Sequence, residues 1–276
     1  MLTFQEGFVP TNGIHIHYYR STPPGDAPTL VLLHGVTDNG LCWARVARAL
    51  NADYDLILVD ARGHGKSDAP ESGYSAEDRA ADVAGLIEAL KLDRPVLVGH
   101  SQGAETAIAA AGIYPASLRA VVLEDPPWPG RYWGSTPEER AERAAEWRAD
   151  ILKQRGMSHA ELVALGRKNN STWNDEELEL WANAKLEASP YLVGFVGAPR
   201  RRWTDYLRQA QCPILLITGD PQRGAIVNPR TIEEAKLYWK QGRVAHIPGA
   251  GHSIHREQLD AYLDALKPFL TEVFQR

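Results

Sequence analysis

The sequence predicts an α/β protein built on a mostly parallel sheet, and three observations predict it. Short apolar runs recur and end in Gly, Asp or Pro; helical patterns lie between several of them; and a Gly-x-Ser-x-Gly stands where one run gives way to a helix. Strands covered on both faces read as near-continuous apolar runs, and alternation with helices is how parallel strands are connected.

Taken in order, Phe8–Tyr18 reads as a hairpin, because Asn12-Gly13 supplies the positive φ angles of a tight turn between two extended runs. His15 and His17 are expected on one exposed strand face, without a third ligand to make a metal site. Five buried strands are then expected at Thr29–Leu33, Leu56–Asp60, Pro95–Gly99, Ala120–Asp125 and Pro213–Gly219. Ser75 caps a helix whose apolar stripe is Val83, Leu86, Ile87 and Leu90. A last strand, Arg243–Ile247, precedes a helix carrying Leu259, Leu263, Leu266, Leu270 and Val273. From Pro126 to Trp203 the alternation stops: the segment is helical and charged and holds six of the eight tryptophans, so a helical insertion over the sheet is expected. Within it Thr136–Arg155 reads as a solvated amphipathic helix.

Composition narrows the function classes. The net charge of −5 comes from 30 basic and 35 acidic residues without long blocks of one sign, which argues against a nucleic-acid partner. Cys42 and Cys212 are isolated among apolar neighbours and make neither a metal motif nor a disulfide framework. Neither a signal-peptide pattern nor a membrane span is legible, so a cytoplasmic protein, monomer or homodimer, is expected.

The chemistry concentrates at Gly99-His100-Ser101-Gln102-Gly103, which follows Val96-Leu97-Val98 and precedes the helical run Ala104–Ala111. A sharp strand-to-helix turn strains the serine backbone, lifts its hydroxyl above the sheet and leaves no room for side chains two residues either side. Serine is a weak nucleophile and needs a base, which in this architecture comes later in the chain. Pro248-Gly249-Ala250-Gly251-His252, between the last strand and the last helix, supplies it; His246 within the strand and His255 in the helix are less well placed. A carboxylate must orient that histidine, and Asp125 and Asp220 both stand at strand ends.

His34-Gly35, Asp60-Ala61-Arg62-Gly63-His64-Gly65-Lys66-Ser67, Gly99–Gly103 and Gly251-His252 together resemble the α/β-hydrolase superfamily. The likeness is to its capped branch of esterases, lactonases, haloperoxidase-like enzymes, epoxide hydrolases and carbon–carbon bond hydrolases. The resemblance implies an α/β-hydrolase fold: an eight-stranded, mostly parallel sheet flanked by helices. Its core would be residues 1–125 and 204–276, with 126–203 a helical cap insertion. It also implies an oxyanion hole from the backbone N–H groups of Val36 and Gln102, with His34 and Gly35 beside the substrate. The Asp60–Ser67 loop, with Arg62 and His64, is structural in the family.

One departure matters for the acid. The family usually places it in a Gly-x-x-Asp after the seventh strand, and that position here is Gln222; Asp220 would need a rebuilt loop. Other members place the acid after the sixth strand, 24 residues beyond the nucleophile, which is Asp125 here. Both remain open, with Glu124 a third carboxylate that strand alternation turns away.

Trp128 and Trp133 follow Asp125 closely and are expected to wall an apolar pocket, whereas Arg200-Arg201-Arg202 reads as a solvated basic run. The expectation is a cofactor-free, metal-free serine hydrolase acting on a small-molecule ester or lactone with a hydrophobic or aromatic group. Carbon–carbon bond hydrolysis and perhydrolysis are the alternatives on the same triad, and a non-catalytic ligand-binding protein the remote one.

Overall fold

The computed structural model describes residues 3–21, 26–128, 135–199 and 201–275. Asn12 and Gly13 both carry positive φ, 48° and 78°, and turn β1 (Gln5–Thr11) back onto β2 (Ile14–Ser21) as an antiparallel hairpin. β3 (Thr29–Leu33), β4 (Asp55–Val59), β5 (Val96–His100), β6 (Ala120–Glu124), β7 (Ile214–Thr218) and β8 (Gly242–His246) follow, each within one residue of the expected apolar run. The sheet order is β1-β2-β4-β3-β5-β6-β7-β8; β2 joins β4 antiparallel and every later pairing is parallel. This is the eight-stranded α/β-hydrolase sheet.

The helices are α1 (Ala44–Leu50), α2 (Ala76–Ala89), α3 (Gln102–Ile113), α4 (Pro137–Arg155), α5 (His159–Asn169), α6 (Asp175–Glu187), α7 (Gly194–Gly197), α8 (Trp203–Gln209), α9 (Pro229–Lys236), α10 (Ile254–Glu257) and α11 (Leu259–Gln275). Ser75 opens α2 with a capping box to Asp78: its hydroxyl accepts from the Asp78 N–H while the Asp78 carboxylate accepts from the Ser75 N–H.

Strand alternation divides the core into two layers. Val31, Leu33, Ile57, Leu97, Val121 and Leu216 pack under α2, α3 and α8, whereas Leu30, Leu32, Leu56, Val98, Val122 and Leu215 pack under α1 and α11. Residues 137–199 add α4 to α7 between β6 and α8. Only Ile151 is buried among the 19 residues of α4, so this helix is held along a narrow seam, as its charged composition predicts. Among the described residues no helix is long and apolar enough to cross a membrane.

His17 corrects one expectation. It is fully buried, not exposed like His15, because Phe8 and Tyr19 cover its ring and its Nδ1 lies 2.8 Å from Asp60. Asp60 also accepts the N–H groups of Gly40 (2.7 Å) and Lys66 (3.0 Å), so one carboxylate ties together the loops after β3 and β4.

Candidate active site

The chain turns from β5 into α3 at Ser101, whose φ of 52° and ψ of −115° lie outside the ordinary regions for an L residue. Tight packing holds it there. A Cβ on Gly99 would run into the Gly103 backbone, and one on Gly103 into the Leu33 carbonyl of the neighbouring strand. Ser101 N–H donates to the Glu124 carbonyl at 2.9 Å, which fixes the bend against β6.

One strand along, Asp125 leaves β6 with φ 40° and buries its carboxylate completely. Three donors converge on it: Ile226 N–H at 2.8 Å, Val227 N–H at 2.9 Å and His252 Nδ1 at 2.6 Å. A carboxylate only accepts, so His252 Nδ1 donates the third hydrogen bond, and Nε2 takes no part in the contact with Asp125. The loop carrying His252 is braced as well. Glu257 accepts from the N–H groups of Gly251 (2.8 Å) and Ser253 (3.2 Å), and the His252 carbonyl accepts from His100 Nε2 at 3.0 Å. That last bond ties position 252 to the residue immediately before Ser101. No Ser101–His252 hydrogen bond is present among the described residues; such contacts are often long without substrate and tighten in the complex.

Asp220 is occupied elsewhere. It accepts from Gly249 N–H at 2.7 Å and lies 3.0 Å from His246 Nε2, so it joins the loops after β7 and β8 without touching His252. Glu124 faces the opposite way, as alternation requires, and accepts from the backbone N–H (3.0 Å) and Nδ1 (2.8 Å) of His255. Burial raises the Glu124 carboxyl and pushes the His255 and His100 imidazoles down to about 3, so these internal histidines are neutral.

Gln102 opens α3 and Val36 lies in the loop after β3, and neither backbone N–H has an acceptor among the described residues. Around Val36 the loop is built largely by the two residues before it. His34 Nδ1 donates to the Gly35 carbonyl (2.8 Å) and its Nε2 accepts from Ala61 N–H (3.0 Å), so neither ring nitrogen is free for a substrate. Gly35 lies against the His100 ring, and a Cβ there would come 2.8 Å from His100 Nδ1. These two residues shape the loop. His64 takes part too: its Nε2 accepts from Thr37 N–H at 3.1 Å, and burial holds its pKa at about 3.

Trp128 is 1% exposed and stacks on Trp203 with centroids 4.6 Å apart, so its ring belongs to the core; it also lines a small cavity with Tyr74, Phe195 and Arg201. Trp133 and Arg200 lie outside the described residues.

Comparison with known proteins agrees with this fold. The model of the alpha/beta hydrolase family matches residues 30–265. N-formylmaleamate deformylase of Pseudomonas putida is 34% identical over 272 residues, covering 96% of each chain. The 2-(acetamidomethylene)succinate hydrolase of Mesorhizobium japonicum is 44% identical over 258 residues, covering 89% of each. Among solved structures, a thermophilic esterase from Thermogutta terrifontis with malate bound superposes with a TM-score of 0.76 at 26% identity, covering 98% of this chain and 99% of that one. The chain belongs to the alpha/beta hydrolase family.

Proposed function

We propose that the protein is a serine hydrolase that opens an acyl–nitrogen bond in a small carboxylate-bearing substrate, with Ser101 as nucleophile, His252 as base and Asp125 as acid. The observation that carries this reading is the 2.6 Å contact between His252 Nδ1 and a buried Asp125 carboxylate, fixed by the amides of Ile226 and Val227. Asp220, engaged by Gly249 and His246, has the lesser role of holding the loop on which His252 stands.

In the reaction His252 Nε2 removes the Ser101 proton as Oγ attacks the acyl carbon, and the N–H groups of Val36 and Gln102 hold the oxyanion. The same proton passes to the leaving nitrogen, the acyl–nitrogen bond breaks and the amine departs. His252 then deprotonates a water that attacks the acyl-enzyme. The acid is released and the serine hydroxyl regains its proton. The helical segment 137–199 forms a cap over this end of the sheet.

The choice of bond moves from the ester expected from sequence to an amide because the names of two relatives of matching length give an N-formyl and an acetamido group, each an acyl group on nitrogen. Ester cleavage is the second reading, favoured by the similarity to the thermophilic esterase. The test is a panel of N-formylmaleamate, 2-(acetamidomethylene)succinate, p-nitrophenyl acetate and simple lactones. Release of formate or acetate from an amide with the higher kcat/KM is expected, and all turnover should vanish in Ser101→Ala. Faster turnover of esters and lactones would reverse the order of the two readings.

A further inference from the structure

We propose that Lys185 is a positioning residue, reaching from α6 to hold the oxyanion loop in its working conformation. The inference rests on the reading of Val36 as an oxyanion donor and extends it. Thr37, the next residue, has φ 63°, in the left-handed region that a β-branched side chain disfavours. Every polar atom of Thr37 is nevertheless engaged. Its N–H donates to His64 Nε2 at 3.1 Å, while its carbonyl and hydroxyl oxygens accept from Lys185 Nζ at 2.8 and 2.6 Å.

Lys185 is 5% exposed, and its ammonium also lies 3.3 Å from Asp38 Oδ1 and over the Trp181 ring. Asp38 Oδ2 accepts from Arg256 at 2.9 Å, four residues beyond His252, and Arg256 faces Glu177 of α6 at 3.5 Å. A second contact from the same helix, Glu187 accepting from the Asn39 side chain at 2.7 Å, lies beside the first. The inserted helix thus grips the loop at Thr37, Asp38 and Asn39, the three residues that follow Val36. Releasing the grip lets Thr37 shift and the preceding Gly35–Val36 peptide turn with it, which withdraws the Val36 N–H from the oxyanion. That donor matters more in the transition state than in the bound substrate.

The test uses p-nitrophenyl acetate hydrolysis by the full chain and by Lys185→Met, a neutral side chain of similar length, together with a trifluoromethyl ketone that forms a tetrahedral adduct on the serine. Loss of one donor predicts a kcat lower by about 10- to 100-fold with KM within about threefold, and ketone affinity weakened in parallel. If Lys185→Met does not accumulate folded, Lys185→Gln, which keeps one amide donor, is measured the same way with a smaller drop expected. An unchanged kcat, or a loss shared by kcat and KM with ketone affinity intact, would overturn the positioning role. A parent chain unreactive to both probes would instead count against the serine-hydrolase reading itself.

Discussion

Ser101 and Asp125 are both non-glycine residues at positive φ, and both stand at the carboxyl ends of adjacent parallel strands. Backbone strain of this kind survives only where surroundings over-determine it, and the surroundings here are specific. Gly103 approaches the Leu33 carbonyl too closely for any side chain, so Gly103→Ala should lower stability by about 1–3 kcal/mol in urea titrations. An unchanged midpoint would show that the bend has slack. The candidate nucleophile and base were legible because glycines and strand ends mark Ser101 and His252 locally. The acid was not, since Asp125 and Asp220 look alike in sequence and differ only in partners 101 and 29 positions away. Lys185 was missed for the same reason, and His64, expected in a structural loop, could not be matched to Thr37: nothing near either in sequence points to that residue.

At the level of elements, the hairpin turn, the apolar strands and the capped α2 follow from local rules, and they stand where those rules put them. The inserted helices are less uniform than their shared composition implies. Beside the core helix α3, which buries ten of its 12 residues, α4 buries only Ile151, while α6 buries five, Lys185 among them. α6 is anchored to the core through Lys185, Glu187 and Glu177, and Glu177 meets Arg45 at 3.3 Å. Hydrogen exchange should therefore show α4 opening well before α3, with α6 protected near its Lys185 end. Equal protection of α4 and α6 would mean that the insertion moves as one piece. The burial of His17 shows the limit of alternation as a guide: its outward register did not reveal that β1 and the Asp60 loop would cover it.

Across the whole molecule, the sheet order and the convergence of distant loops on one edge cannot be read from any segment. They arise from packing the two apolar layers, and they bring positions 36, 101, 125 and 252 to one end of the sheet. The same packing buries titratable groups, which sets the response to acid. Burial holds His64, His100 and His255 at about 3, below the ordinary histidine value. Each therefore favours folding fully above about pH 6.5, and loses that contribution as pH falls toward about 3, worth on the order of 2 kcal/mol per imidazole at about pH 5. Glu124 and Asp82, raised by burial, act in the opposite direction and reduce the sum. Urea unfolding at about pH 7 and about pH 5 should still show a net loss of at least about 2 kcal/mol at the lower value. Stability that is flat or rising would mean that these histidines are protonated in the folded chain.

The central claim is that Asp125, through His252, activates Ser101. Its most direct test is the rate at which a fluorophosphonate labels Ser101, read by mass spectrometry of the intact protein and its peptides, in Asp125→Asn and Asp220→Asn. The account predicts labelling slowed by about 10³-fold or more in the first and by less than about tenfold in the second. Equal rates in the two variants, or the larger loss in Asp220→Asn, would contradict it.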